Sequence, residues 1–219
     1  MNQESNLLTV AHDKRDVSWE NHFFNRLTAS NVNILSADPQ IGPDNWPYLM
    51  AEWSEKLDTT MEPAQEETQK VIQWLSDKGI GLVINPMKEY PDYVFTYGMI
   101  WSFKETGFFY RTDTVSNTES LPSDGTTQFY YGPPSQQYLP DYVRKVLREF
   151  FRDQGLMNVK LLMLSSDNKE FDLAFSLESL GNPPKEEHEG IAEAISWFLP
   201  PHYPILLIDE KNLPAFIDL

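Results

Sequence analysis

"PDYVFTYGMIWSFKETGFFY", residues 91–110, places eight aromatic rings in twenty positions. Tyr93, Phe95, Tyr97, Met99, Trp101 and Phe103 occupy every second position, with Val94, Thr96, Gly98, Ile100, Ser102 and Lys104 between them. A strand sends alternate side chains to opposite faces. The alternation therefore predicts a central core strand over 93–103, bulky on one face and mostly small on the other. The bulky face is expected to lie under a helix or a second layer. Gly98 allows a bulge or a close backbone approach. Residues 104–107 read as a turn, and "FFYRT" as the returning strand of a hairpin.

The flanking sequence supports a mixed architecture. "VSWENHFFNRL" has Trp19 and Phe23 on one helical face. "NVNIL" at 31–35 and "YLMAEWS" at 48–54 read as strands around a Pro/Gly-punctuated loop. Thr59 and Glu62 have capping-box spacing with Pro63 beside them, so a helix is predicted from there to Lys78, closed by Gly79. "IGLVIN" follows directly as a strand. Residues 113–127 contain almost nothing apolar and read as a loop or linker. Beyond it come a helix over 141–154 ended by Gly155, the hairpin "NVKLLMLSS"–"FDLAFSLES", a helix from Pro184, a strand "PILLID" and a closing turn "NLPAFI". The fold class that results is α+β, two small mixed modules, each a sheet covered by one or two helices. The divisions are an N-terminal helical arm (1–30), an α+β module (31–115), a linker (116–136) and a second α+β module (137–219).

The last part resembles a known family. The helix "DYVRKVLREFFRDQG", the hairpin "VKLLMLSSDNKEFDLAFSLES" and the ending "ISWFLPPHYPILLIDEKNLPAFI" are similar to the C-terminal domain of the SseB, or enhanced serine sensitivity, family. The resemblance covers residues 137–219 and implies a small cytosolic bacterial α+β protein without an established catalytic centre. It carries over no site residues.

Charge narrows the function classes. The 219 residues carry a formal charge of −16, from 33 acids and 17 bases. Sixteen acids and eight bases fall in Met1–Tyr110, so each half carries −8. A field of that sign repels phosphate backbones and anionic lipid, and suits a protein partner with a basic patch. Cysteine is absent, which removes disulfides, thiol nucleophiles and Cys-based zinc sites and fits a reducing cytosol. The N-terminal residues show no basic flank followed by an apolar run, and no apolar run reaches the ~20 residues of a membrane span. The expectation is a cytoplasmic protein without membrane insertion.

Catalytic signatures are missing from the sequence. His12, His22, His188 and His202 stand apart, outside any HExxH or HxH spacing. His188 sits among Glu186, Glu187, Glu189 and Glu193, which reads as acids at a helix start rather than as metal ligands. No GxSxG elbow occurs, Ser165 and Ser166 read as turn residues, and "GIG" at 79–81 lacks the helix of a phosphate cradle. Asp92 is the carboxylate to watch: burial beside aromatic rings would raise its pKa and make it a candidate acid, whereas a turn residue is the plainer reading. No catalytic residue, metal ligand or cofactor is assigned.

Two sets of binding residues remain. Trp46, Tyr48, Trp53, Tyr130, Tyr131 and Tyr138 lie near Pro/Gly loops, where aromatics serve as recognition anchors. Arg144, Arg148 and Arg152 recur every fourth residue beside Lys145, the one basic stripe of an acidic chain, and could dock an acidic partner or anion or, more commonly, pair with the protein's own acids, Glu149 and Asp153 among them. The expected function is a non-catalytic interaction protein: an adaptor, a chaperone-like factor or a toxin-neutralising partner. The alternatives are a hydrolase built from isolated His and carboxylates, and a small-ligand binder with an aromatic cavity between modules.

Overall fold

The computed structural model describes residues 6–55, 65–109, 130–211 and 213–219. The fold is α+β. The chain divides into two compact units, Met1–Tyr110 and Arg111–Leu219.

Unit 1 begins with two 3₁₀ turns, Leu7–Thr9 and His12–Lys14, then α1 (Val17–Thr28). Asp16 caps α1 by accepting the Trp19 N–H. Strands β1 (Asn31–Ile34), β2 (Gln40–Ile41), β3 (Pro47–Glu52) and β4 (Gln65–Glu67) follow, then α2 (Thr68–Lys78), β5 (Gly81–Ile84), β6 (Tyr93–Phe95) and α3 (Tyr97–Thr106). The sheet order is β4-β1-β3-β5-β6, with β2 on β3. β3 and β5 are parallel and the other pairs antiparallel. A parallel pair needs a crossover, and α2 lies in it.

Register explains the core. Leu49, Leu82 and Phe95 stand in one row, and Ala51, Ile84 and Tyr93 in the next. Both rows face Trp19, Phe23, Phe24 and Leu27 of α1, Val71, Ile72 and Leu75 of α2, and Met99 and Ile100 of α3. Residues 17–28 are thus no separate arm, because α1 closes the core of unit 1.

The predicted strand over 93–103 is corrected. Only Tyr93–Phe95 is strand, and the chain then turns into α3. Thr96 caps α3 by accepting the Met99 N–H, and Gly107, left-handed at φ 75°, ends it by donating to Phe103 O at 2.7 Å. Tyr97 through Ser102 are all buried. A helix enclosed on all sides loses its apolar/polar period, so its sequence reads as easily as a strand. Among the described residues no returning strand follows: Phe108 is exposed, while Phe109 packs against Phe95 and Phe103, each at 4.6 Å between ring centres. The rest of "FFYRT" lies outside the described residues, as does the predicted capping box at Thr59 and Glu62. The helix itself starts at Thr68, because Gln65–Glu67 is held as strand against β1.

Unit 2 contains β7 (Tyr130–Gly132), α4 (Asp141–Asp153), β8 (Lys160–Ser165), β9 (Asp172–Ser176), α5 (His188–Ser196), β10 (Ile205–Ile208) and β11 (Ile217–Asp218). The sheet order is β10-β9-β8-β11, with β7 on the same strand, β8. β9 and β10 are parallel, joined across α5. β11 replaces part of the predicted closing turn; two residues are too few to show a period. Phe175 in the β9 row meets Phe151 of α4, and Phe150 meets Phe198 just beyond α5 at 4.4 Å. The opposite face carries Leu162, Ala174 and Leu206 with Phe216. The predicted linker lies mostly outside the described residues, except Tyr130–Gly132, which is strand, and the turn after it.

Gly81 is the tightest point of the unit 1 sheet. A Cβ there would overlap the Tyr48 ring and stand 2.9 Å from Phe95 O. Tyr48 is buried and bonded to Asp44, so its ring has nowhere to go. Gly81→Ala is expected to cost about 2 kcal/mol by overpacking, measured as a fall in the urea midpoint at unchanged slope.

Candidate functional site

The β5–β6 connection, "NPMKEYPD" at 85–92, is held by buried hydrogen bonds at both ends. Asn85 starts it with a positive φ of 55°. Its amide serves three groups: Oδ1 accepts the Trp53 N–H at 2.9 Å, and Nδ2 donates to Trp53 O at 3.0 Å and to Asp92 Oδ2 at 2.7 Å. Asp92 closes the loop by donating its N–H to Ile84 O at 2.9 Å. Pro86 and Pro91 fix φ just inside the two ends.

Asp92 is only 3% exposed and binds three cationic or polar donors. Arg15 reaches Asp92 Oδ1 at 2.8 Å and Asp92 O at 2.6 Å, and its Nε donates to Val10 O at 3.1 Å. Lys88 pairs with Oδ2 from within the loop. The Arg15 guanidinium also lies 4.3 Å above the Trp19 ring, where its charge meets the π face. Burial by itself raises the Asp92 carboxyl, but the hydrogen bonds from Lys88, Asn85 and Arg15 and the Lys88 charge outweigh it. The pKa is held below the ordinary carboxylate range. Asp92 is therefore an ionised fastening at the bend into β6, in line with the turn reading, and the alternative of a raised pKa and an acid role is set aside.

Above this fastening the loop displays apolar side chains. Met87 is 83% exposed and Tyr90 65%. Glu89 between them is exposed too. His12 meets the edge of the Tyr90 ring at 6.0 Å. The tip is thus Met87 and Tyr90 flanking the exposed acid Glu89 and Lys88, whose ammonium is turned to Asp92, on a base that cannot shift without breaking buried bonds.

The sequence-predicted anchors sort differently. Trp53 is a core residue whose indole N–H donates to Ser30 Oγ at 2.7 Å. Tyr48 is buried, its hydroxyl bonded to Asp44 at 2.5 Å; burial first, then Asp44, pushes its pKa up. Trp46 is half-buried and donates to Gly79 O at 2.7 Å, tying β3 to the end of α2. Tyr48 and Trp53 are thus buried braces of unit 1, and Trp46 is a half-buried one. In unit 2, Tyr138 stacks on Tyr203 at 4.2 Å and donates to Phe171 O at 3.0 Å. Its phenol is raised by burial, then by Tyr203 and Asp172. Tyr130 and Tyr131 do face solvent, on β7, and Tyr131 is 60% exposed.

The arginine stripe also divides. Arg144 is buried, donating to Leu139 O at 3.0 Å and Pro134 O at 2.6 Å, so it closes the turn before α4. Burial lowers its pKa. Arg148 donates to Leu219 O at 2.7 Å, and Arg152 stays exposed on the last turn. Main-chain carbonyls, invisible in a sequence pattern, take the first two.

The histidines do not converge on acids. His22 Nδ1 sits 2.6 Å from Ser18 O, and His188 Nε2 3.1 Å from Pro183 O. His202 is half-buried beside Tyr203, with its pKa lowered by burial. Among the described residues, no group of three or more His, Asp or Glu side chains is arranged to hold a metal ion. No helix among them is long and apolar enough to cross a membrane.

Met87 and Tyr90 were missed in the sequence because periodicity carries no information on a loop. The available signal was the Asn-Pro and Tyr-Pro-Asp punctuation on either side of them. No family model matches the chain, and no curated protein matches it in sequence.

Asp92→Asn removes the charge that Arg15 needs and is expected to cost about 3 kcal/mol at neutral pH. The folded pKa is depressed, so this stability is present above the ordinary carboxylate pKa and is lost as pH falls through the folded value. Melting curves of the two proteins should differ most at neutral pH and converge below about pH 4; a constant gap would mean that Asp92 is not the group titrating.

Proposed function

We propose that this chain is a non-catalytic protein-interaction protein of the cytosol, an adaptor, chaperone-like factor or toxin-neutralising partner. The observation that carries the reading is the loop tip: Met87 and Tyr90 face solvent on a backbone fastened from below by Asp92 and Asn85. Exposed apolar side chains on a fixed backbone bind with little ordering cost. A mobile loop of the same composition would lose that advantage.

The partner is a protein with an apolar pocket rimmed by basic groups. The acid excess is even along the chain, −8 in each half, so the field favours a positive partner from a distance. Glu89 at the tip adds a local contact for the basic rim. The same field disfavours nucleic acid. Tyr130 and Tyr131 on β7 supply a second candidate contact on unit 2.

A photo-crosslinking amino acid in place of Met87 tests this. The expected result in a low-salt lysate is a discrete protein adduct, several-fold weaker after Tyr90→Ala and weaker again at high salt. The same probe at Met157, exposed on unit 2, serves as control. Absence of a discrete adduct, or one indifferent to both changes, rejects the proposal.

A further inference from the structure

The N-terminal segment and the docking loop share one fastening. Residues 6–14 contain only two short 3₁₀ turns and no buried residue. Leu7, Leu8 and Val10 rest, partly buried, on the core cluster. The segment is otherwise held at its ends. Leu7 N–H donates to Glu55 Oε2 at 2.7 Å, and Leu7 O accepts the Trp19 indole N–H at 2.9 Å. At the far end Arg15 holds Val10 O, the Trp19 ring and Asp92 together. From Asp92 the bonds continue through Asn85 to the Trp53 main chain.

We infer that residues 6–16 form a strap that opens and closes together with the 85–92 loop, so that the docked strap keeps Met87 and Tyr90 in their binding arrangement. The physical basis is the double use of Arg15. Its two terminal nitrogens supply the bonds that tie the strap to Asp92, and its Nε donates to Val10 O, which gathers the strap's own backbone around the same guanidinium. Lifting the strap withdraws Arg15 from Trp19 and Asp92. The buried carboxylate then keeps only Lys88 and Asn85, both from the loop itself, and the loop loses its tie to α1. Segments with few buried contacts open locally well before the whole unit unfolds, and two that share a charged centre open as one. The regulatory meaning of this coupling rests on the docking reading of the loop: whatever displaces the strap lowers partner affinity.

Hydrogen exchange by mass spectrometry on the full chain tests the coupling with two variants acting from opposite ends. Arg15→Gln breaks the shared centre. The double variant Leu8→Ser, Val10→Ser loosens the strap and leaves the Asp92 contacts chemically intact. Either is expected to speed exchange roughly tenfold or more in both 6–16 and 85–92, with α2 and β1 unchanged. Faster exchange confined to 6–16 in the double variant overturns the inference. If Arg15→Gln disturbs all of unit 1, the double variant alone decides. The Met87 crosslink, repeated on both variants, should weaken in step with loop exchange. Coupled exchange without any crosslink in the parent protein would retire the docking reading and leave the strap coupling standing.

Discussion

The buried Asp92 carboxylate is the constraint on which unit 1 is organised. A lone charge in that position would cost several kcal/mol. It is tolerated because Arg15, Lys88 and Asn85 converge on its two oxygens. The three donors come from two parts of the chain about seventy residues apart, so the same solvation requirement that ionises Asp92 ties the segment before α1 to the β5–β6 loop. Asn85 extends the tie to β3 by holding both the N–H and the C=O of Trp53. The polar centre thereby fixes the geometry of three elements that apolar packing alone would leave free to slide.

Next to this centre lies a dense aromatic cluster. Trp19 stacks on Phe23 at 4.9 Å, Phe23 meets Trp53 edge-on at 5.3 Å, and Tyr93 contacts Phe95 at 4.6 Å. Such pairs contribute about 0.5–1.5 kcal/mol each beyond the area they bury. Tyr93 completes the junction between the two regions, since its hydroxyl donates to Glu20 of α1 at 2.8 Å. Both units use the same device to place a helix over a sheet: a parallel strand pair, β3–β5 or β9–β10, that cannot be joined by a tight turn and so carries α2 or α5 in its crossover.

The cations of this acidic chain are largely committed to its own architecture. Arg15 serves Asp92, Arg144 closes a turn, and Arg148 holds Leu219 O. Lys88 is spent inside the loop, and Lys104 pairs with Asp77 at 2.7 Å. The acids are not matched in the same way, since 33 face 17 bases. The net field outside is therefore negative, while the buried Asp92 is paired with Arg15 and Lys88 and the buried Arg144 is held by main-chain carbonyls. Such a distribution suits the proposed docking role, with the field acting at long range and a few apolar side chains at contact.

Composition, punctuation and period determined by themselves that the chain is α+β, where α1, α4 and the β8–β9 hairpin fall, and that the exterior is acidic. These features are local: apolar residues recur at the spacing of the element, and Pro, Gly or Asp marks its ends, as Asp16 and Gly155 do. Three further features were decided only by tertiary structure. Residues 97–106 are helix because Thr96 and Gly107 cap them, and neighbours enclose Tyr97–Ser102 on every side, which erases the period. Trp46, Tyr48 and Trp53 turned out to be braces because their polar atoms find Gly79 O, Asp44 and Ser30 across the fold. Lys88 and Asn85 of its own loop, with Arg15, hold Asp92 ionised, and it became a fastening to another segment because Arg15 arrives from 77 residues away. A short-range pattern records which side chains are apolar, but the partner that satisfies a buried polar group is a long-range fact, and only the folded chain supplies it.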